Sequence, residues 1–434
     1  MDYFHYQNAQ LYCEEVPVRA LADQFGTPLW VYSRRTILHH LQKLNEAFAE
    51  LRPLICYSVK ANANLGILKL MAEHGAGFDV VSGGELYRVI RSGGDPATTV
   101  FAGVGKTAEE IRYGLEKGVL MFNVESEAEL QLTSRVAADL GRRAPVALRI
   151  NPDVDPQTHR YIATGKKESK FGLDLQRAER MAREALSMKS LRMIGVHMHI
   201  GSQITSLEPH TAALPKGVAF VETVRRMGHP IEWFNIGGGF GIHYKKQEAR
   251  AAEEYARIII PEVKKLGPSV RLALEPGRFI VGNAGILVSR VLYTKESGDK
   301  RFVIQDAAMN DLIRPTLYEA FHRIWPVEAN GVPAPPDDFE ADIPGTQSWD
   351  VVGPVCESGD FLAKDRRLPT LRSGDLLAIF SAGAYGSVMS SNYNARPRGA
   401  EVLVDGDRFS LVRRRETLED LVAPEVETFE STEA

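Results

Sequence analysis

PLICYSVKAN (53–62), LGILKLMAEHG (65–75) and GFDVVSGGE (77–85) follow one another almost without interruption. The first and third are short apolar runs that end in polar residues and Gly, which reads as strand. The second places Leu65, Leu68, Lys69, Ala72 and Glu73 at helical spacing and closes on Gly75. Strand, helix, strand in this order predicts a parallel pair with a helical crossover.

The unit recurs outward along the chain. Further apolar runs are TVFAGVGKT (99–107), VLMFNVESE (119–127), VALRINPDVD (146–155), IGVHMHIGSQ (194–203), IEWFNIGGGFG (231–241) and VRLALEPGR (270–278). TAEEIRYGLEKG (107–118), with Glu110 three residues after Thr107, carries a capping box, and SEAELQLTSRVAADLG (126–141) repeats the scheme. Eight such runs fit a closed (β/α)8 barrel better than an open sheet. From about residue 281 the rhythm changes to strands without regular helices: GILVSRVLYTKE, KRFVIQDAAM, SWDVVGPVC, DLLAIFSAGAYG and EVLVDGDRFSLVRRRE. The expected fold is α/β: a TIM-like barrel over 30–280 and an antiparallel β domain over 281–434, completed by residues 1–29. PLWVYS (28–33) can pair into that second domain. Residues 326–347, rich in Pro, Asp and Gly, read as an exposed loop.

Lys+Arg number 52 and Asp+Glu 56 in 434 residues. A formal charge of −4 gives no footprint for nucleic acid or an anionic membrane. No apolar run approaches the length of a membrane helix. Three widely spaced cysteines, Cys13, Cys56 and Cys356, make neither a disulfide framework nor a zinc cluster. The start, MDYFHYQNAQ, reads as neither a secretory signal nor a transit peptide, and the expectation is a cytoplasmic protein.

Polar residues gather at the carboxyl ends of the runs: Lys60, Ser82, Glu125, Arg149, His199, Gly237 to Gly239 and Glu275. In barrels of this kind that end carries the chemistry. Alternation puts Cys56, Ser58 and Lys60 on one strand face. A lysine facing a barrel interior can form a Schiff base, while the plainer reading is a strand-end lysine reaching water. GVGKT (103–107) lacks the first glycine of a P-loop, Val100 standing there, and the Gly237–Gly241 run puts Ile242 where a dinucleotide fingerprint needs its third glycine. Consecutive glycines after a strand still let backbone N–H groups approach an anion. His197 and His199, two apart, suggest either a metal pair or a core residue with a ring-stacking partner; only Asp79, Asp153 and Asp155 are near as further ligands. Glu275 can keep a pyridinium nitrogen protonated and Arg278 can grip a phosphate or carboxylate; a plain Glu–Arg pair fits as well. Three further dense spots lie beyond 300: Asn310 to Tyr318, Cys356 to Asp360, and Ala384 to Arg398.

Nine motifs occur in order: YSVKAN, FDVVSGGE, SKFGL (169–173), HMHIGSQ, NIGGGFG, EPGRF, MNDLIRPTLY, GPVCESGD and AGAYG. From about residue 25 to 420 the chain closely resembles the barrel-fold pyridoxal-phosphate decarboxylases. That family includes bacterial diaminopimelate decarboxylase and eukaryotic ornithine decarboxylase. HMHIGSQ, MNDLIRPTLY, CESGD and SNYNARPR resemble the diaminopimelate branch. The resemblance implies pyridoxal 5'-phosphate as cofactor, decarboxylation of meso-diaminopimelate to L-lysine, and a homodimer in which CESGD reaches into the partner's active site. It implies Lys60, His199 and Cys356 as catalytic residues: the Schiff-base lysine, the residue stacked on the ring and the proton donor. Ser202, Gly237, Gly238, Gly239, Gly277, Arg278 and Tyr385 match cofactor contacts, with Glu275 the partner of the ring nitrogen. Arg278, Arg314, Tyr318, Glu357 and Tyr385 match substrate contacts. A distal carboxylate and ammonium need a cation and an anion, which Arg278 with Arg314 and Glu357 can supply. The competing readings are a sister decarboxylase of carboxynorspermidine, ornithine or arginine, a silent cofactor-binding protein, and a metal-dependent barrel hydrolase built on His197 and His199.

Overall fold

The computed structural model describes residues 3–155, 170–245, 249–329 and 343–431. Contacts divide the chain into two compact units. One comprises His40–Ile242 and Ala249–Ile280; the other comprises Met1–His39, His243–Glu248 and Val281–Ala434.

The first unit is a closed barrel of eight parallel strands. In chain order they are Leu54–Ser58, Gly77–Val80, Thr99–Phe101, Met121–Val124, Ala144–Ile150, Leu191–Met198, Trp233–Asn235 and Arg271–Leu274. The eighth closes on the first through Ala273 opposite Leu54 and Leu274 opposite Ile55. All eight apolar runs of the sequence are therefore barrel strands. Thr107 and Glu110 form the expected capping box, and Gly118 ends that helix in the left-handed region at φ +76°.

The barrel is filled, not hollow. Cys56, Val100, Met121, Ala147, Ile194, Trp233 and Ala273, from seven different strands, form one buried cluster. Small residues beside Trp233 make room for the indole, which is how a layer of inward side chains packs at native density. A register shift between Met193 and Gly195 resets the alternation of the sixth strand. Ile194 thereby enters the core layer, and His197, three residues on, also points inward.

The second unit holds a nine-stranded sheet and, near the N-terminus, a three-stranded one. The large sheet is mixed where an antiparallel one was expected. Lys300–Gln305 runs parallel to Thr346–Val352, and Leu29–Ser33 runs parallel to Ala400–Asp405. Hairpin spacing in the sequence signals antiparallel neighbours, whereas a strand delivered from a distant part of the chain carries no local sign of direction. Leu29–Ser33 is wholly a sheet strand, so the boundary expected at residue 30 falls inside it. Of the Pro-rich stretch, residues 330–342 lie outside the described residues, as do residues 156–169, which include the first residue of SKFGL.

Candidate active site

The carboxyl ends of the barrel strands surround a cavity of about 560 Å3. Lys60, Arg149, His197, His199 and Glu275 all line it. The strand reading carried the first strand through position 60. The strand instead stops at Ser58, and Lys60 lies on a tight turn, Val59–Ala61. The turn brings Nζ onto the Asp79 carboxylate, to which Ser58 Oγ also donates at 2.8 Å. Cys56 stays in the core layer and takes no part. Burial raises the Asp79 carboxyl, the Glu275 charge adds to that, and the Lys60 ammonium pulls it back.

Glu275 follows the eighth strand, and its side chain is 5% exposed. Asn235 Nδ2 donates to Oε1 at 2.6 Å and Asn123 Nδ2 donates to the same oxygen at 3.2 Å. His197 Nε2 lies 3.2 Å from Oε2. Burial opposes the charge, yet His197, through its hydrogen bond, and then the Lys60 ammonium hold this carboxyl below the usual carboxylate range. Three nitrogen partners make it a fixed anion in the barrel mouth.

His199 Nδ1 accepts from the backbone N–H of Gly238 at 3.2 Å. Lost solvation, then the cations Arg149 and Lys60, hold its imidazole well below the usual pKa. The ring is neutral, with its proton on Nε2. The two histidines at the end of the sixth strand, one within it and one just beyond, thus part: one faces a carboxylate, the other a backbone amide. Among the described residues no group of three or more His, Cys, Asp or Glu is arranged to hold a metal ion.

The glycine run sets the close approach of three strand ends. Gly237 and Gly239 have φ of +70° and +96°. A Cβ on Gly238 would stand 2.2 Å from the Glu275 carbonyl oxygen, and one on Gly239 would stand 2.4 Å from the Gly201 carbonyl oxygen. Both obstacles are backbone and cannot step aside. We expect Gly238→Ala to lower stability by about 3 kcal/mol or more, read as a shift in denaturant midpoint. A wild-type midpoint would contradict the packing. Gly277 plays a similar part between the eighth and first strands, facing Ser58 Cβ and Ala61 Cβ at 2.9 Å. Arg278, buried, donates from Nη2 to Ser202 Oγ at 3.1 Å. Arg149 donates from Nη1 to Glu125 Oε1 at 2.8 Å and stands 4.9 Å from the Phe171 ring centre.

The remaining expected residues belong to the sheet unit, where the three dense spots of the sequence are tied together. Met309 N–H and Val355 N–H both donate to the Asp360 carboxylate at 2.7 Å. Thr316 Oγ1 donates to Gly359 O at 2.6 Å, Cys356 N–H donates to Asn394 Oδ1 at 2.8 Å, and Ser391 N–H donates to Asn310 O at 2.9 Å. Cys356 is an exposed thiol, and Glu357, also exposed, accepts from Gly359 N–H at 3.3 Å. Arg314 is buried, donates to His322 Nε2 at 3.2 Å and Tyr244 Oη at 3.3 Å, and lies 5.8 Å from the Tyr318 ring centre. Tyr385 stands in the left-handed region at φ +55°.

Sequence reasoning passed over Asp79 as the Lys60 partner, over Asn123, Asn235 and His197 as the Glu275 partners, and over Tyr244. For the two asparagines a signal existed. Each follows a Phe at a strand end, in MFNV and WFNI, so an amide interrupts an apolar run that has no reason to hold one. Tyr244 had none, because residues 243–248 leave the barrel unit.

Residues 34–282 match the family model described as pyridoxal-dependent decarboxylase, pyridoxal binding domain. The chain is 50% identical over 425 residues to the diaminopimelate decarboxylase of Pseudomonas aeruginosa, covering 98% of this chain and 99% of that one. Among solved structures, the diaminopimelate decarboxylase of Helicobacter pylori complexed with L-lysine superposes with a TM-score of 0.88 at 40% identity, covering 95% of this chain and 100% of that one. The M. jannaschii enzyme in co-complex with L-lysine gives 0.90 at 39% identity, covering 98% of each chain. With a family model spanning the barrel and close relatives spanning nearly the whole sequence, the chain belongs to the diaminopimelate decarboxylase family of pyridoxal-dependent decarboxylases.

Proposed function

We propose that this chain binds pyridoxal 5'-phosphate in the barrel cavity and decarboxylates meso-2,6-diaminopimelate to L-lysine and CO2, the last step of lysine biosynthesis. The observation that carries the reading is one cavity with the Lys60 amine and an ionised, triply bonded Glu275 both in its lining. The donor set fits the cofactor. An amine suits its aldehyde, a fixed anion suits its ring nitrogen, and a neutral imidazole suits its flat face. Backbone free of side chains at Gly237 to Gly239, with Arg278 and Ser202, suits its phosphate. When bound, pyridoxal phosphate supplies an electron sink for the pair released as CO2 leaves.

The protein's own residues do the rest. Lys60 holds the cofactor through Nζ, and Asp79 keeps that amine oriented. Glu275 holds a proton on the ring nitrogen, and Asn123, Asn235 and His197 keep Glu275 ionised and aimed. His199, neutral, covers the ring without adding charge. Cys356 delivers a proton from Sγ to the substrate Cα, which needs only an acid in reach and not a strongly acidic thiol. Arg278 and Arg314 bind the distal carboxylate and Glu357 the distal ammonium, with Tyr318 and Tyr385 beside them.

A homodimer with shared active sites accompanies this reading. Cys356 and Glu357 sit exposed on a loop whose backbone is pinned to Asp360 and Asn394. A reactive pair held rigidly at the surface suits use by a second copy of the chain. Three free cysteines suit a reducing cytoplasm.

The test is to supply pyridoxal phosphate and meso-diaminopimelate and to measure CO2 and lysine. Faster turnover of ornithine than of diaminopimelate would overturn the roles of Arg314 and Glu357. Glu357→Gln is expected to raise KM for diaminopimelate about tenfold or more with cofactor affinity unchanged, because only the distal ammonium loses its partner. Equal losses in both would remove Glu357 from the substrate site.

A further inference from the structure

GVGKT (103–107), too short of glycines for a P-loop, has a different place in the fold. Gly103, Val104 and Gly105 line the same cavity as Lys60 and Glu275. Lys106 turns the other way. Its side chain has no exposure, and the ammonium meets three oxygens: Gly103 O at 2.6 Å, Asn123 O at 2.9 Å and Glu129 Oε1 at 2.7 Å. A buried cation costs much to desolvate, and removing one member of its pair leaves the other charge uncompensated.

Each partner leads to a residue of the active site. Asn123, whose carbonyl Lys106 holds, donates its side-chain amide to Glu275 Oε1 at 3.2 Å. Glu129, whose carboxylate Lys106 neutralises, accepts from Glu125 N–H at 2.9 Å through its other oxygen. Glu125 in turn binds Arg149 Nη1 at 2.8 Å and Gly172 N–H at 3.1 Å. Burial raises the Glu129 carboxyl and Lys106 opposes that, so loss of the lysine raises it further. We infer that Lys106 is a positioning residue for the decarboxylation: one ammonium fixes the ends of the third and fourth barrel strands so that Asn123 faces Glu275 and Glu125 faces Arg149.

The inference rests on the cofactor reading above and is tested on the full chain. Lys106→Met/Glu129→Gln removes both buried charges together. The apoprotein of this variant is titrated with pyridoxal phosphate by fluorescence, and the reconstituted enzyme is assayed on meso-diaminopimelate. Cofactor Kd is expected to rise about tenfold and kcat to fall about tenfold, with KM for diaminopimelate within about twofold. Asn123→Ala is then added to both backgrounds. Its loss in kcat is expected to be about tenfold alone and under about twofold in the double variant, since the amide it removes is already out of place. Wild-type Kd and kcat in the folded double variant overturn the inference, as does an equal Asn123→Ala loss in both backgrounds. Should the double variant fail to fold, Lys106→Met alone, which removes the donor to both carbonyls and leaves Glu129 as it is, goes through the same cycle, and the same two outcomes overturn the inference. A wild-type protein that takes up no cofactor or releases no CO2 overturns the functional reading instead, and that result is independent of the cycle.

Discussion

Lys60→Ala is expected to fold, to show no visible absorbance with pyridoxal phosphate, and to lose turnover by about 10^3-fold or more, about 4 kcal/mol of barrier. The amine lines the cavity wall with the Asp79 carboxylate set to orient it. Methyl has no chemistry to replace it. The same substitution leaves the Asp79 carboxylate buried without its cation. Burial and Glu275 already raise that carboxyl, and the Lys60 ammonium lowers it. In the variant the folded-state pKa of Asp79 therefore lies further above the unfolded value of about 4 than it does in the wild type. A folded pKa above the unfolded one contributes stability at low pH that is lost as pH rises through the folded value. Lys60→Ala should fall further below wild type in melting temperature at pH 8 than at pH 5. Lys60→Ala/Asp79→Asn should show the same deficit at both. A pH-independent deficit in the single variant would mean that Asp79 is not the partner of this lysine.

The barrel was legible because its signal is local and repeated. Each strand is a short apolar run, several crossovers show a helical period with a capping residue, and eight repeats close a circle. The mixed sheet was legible only as strands. Leu29–Ser33 finds Ala400–Asp405 across most of the chain, and no feature of PLWVYS says which way that neighbour runs. The site divides in the same manner. Lys60, His199 and Glu275 stand at strand ends where polarity is visible in the sequence. Their supports do not. Asp79 sits within FDVV, where alternation alone reads it as the polar face of a strand, and its meaning comes from Lys60 arriving on a turn that the strand pattern did not foresee. His197 was read with His199 because they are neighbours in sequence. Its partner is Glu275, 78 residues on, and only the side-by-side order of the sixth, seventh and eighth strands brings the two together. Pairings between elements depend on closure and register, which single-run patterns do not encode.

Glu275→Gln is expected to keep the fold and the cofactor but to lose about 100-fold or more in kcat, about 3 kcal/mol. The shape is conserved. The amide oxygen can accept from Asn123 and Asn235, and the amide nitrogen can donate to His197 Nε2 if the imidazole proton moves to Nδ1. Nδ1 is buried and has no hydrogen-bond partner among the described residues, so that tautomer leaves one donor unsatisfied, a cost of about 1–3 kcal/mol. What disappears is the charge that holds a ring nitrogen protonated, and the effect belongs in kcat, not KM. The pH dependence of stability separates this from mere repacking. The folded Glu275 pKa is depressed, so its contribution is present above the unfolded value near 4.3 and is lost as pH falls below it. The deficit of Glu275→Gln relative to wild type should be largest at pH 6–7 and should shrink as pH falls through that window, measured as denaturant midpoints at each pH. Glu275 also raises Asp79, so the pH-dependent deficit of Lys60→Ala should weaken when Glu275→Gln is added. If the two substitutions act independently in that experiment, the amine and the acid do not share one electrostatic site, and the chemistry assigned to the cavity loses its basis.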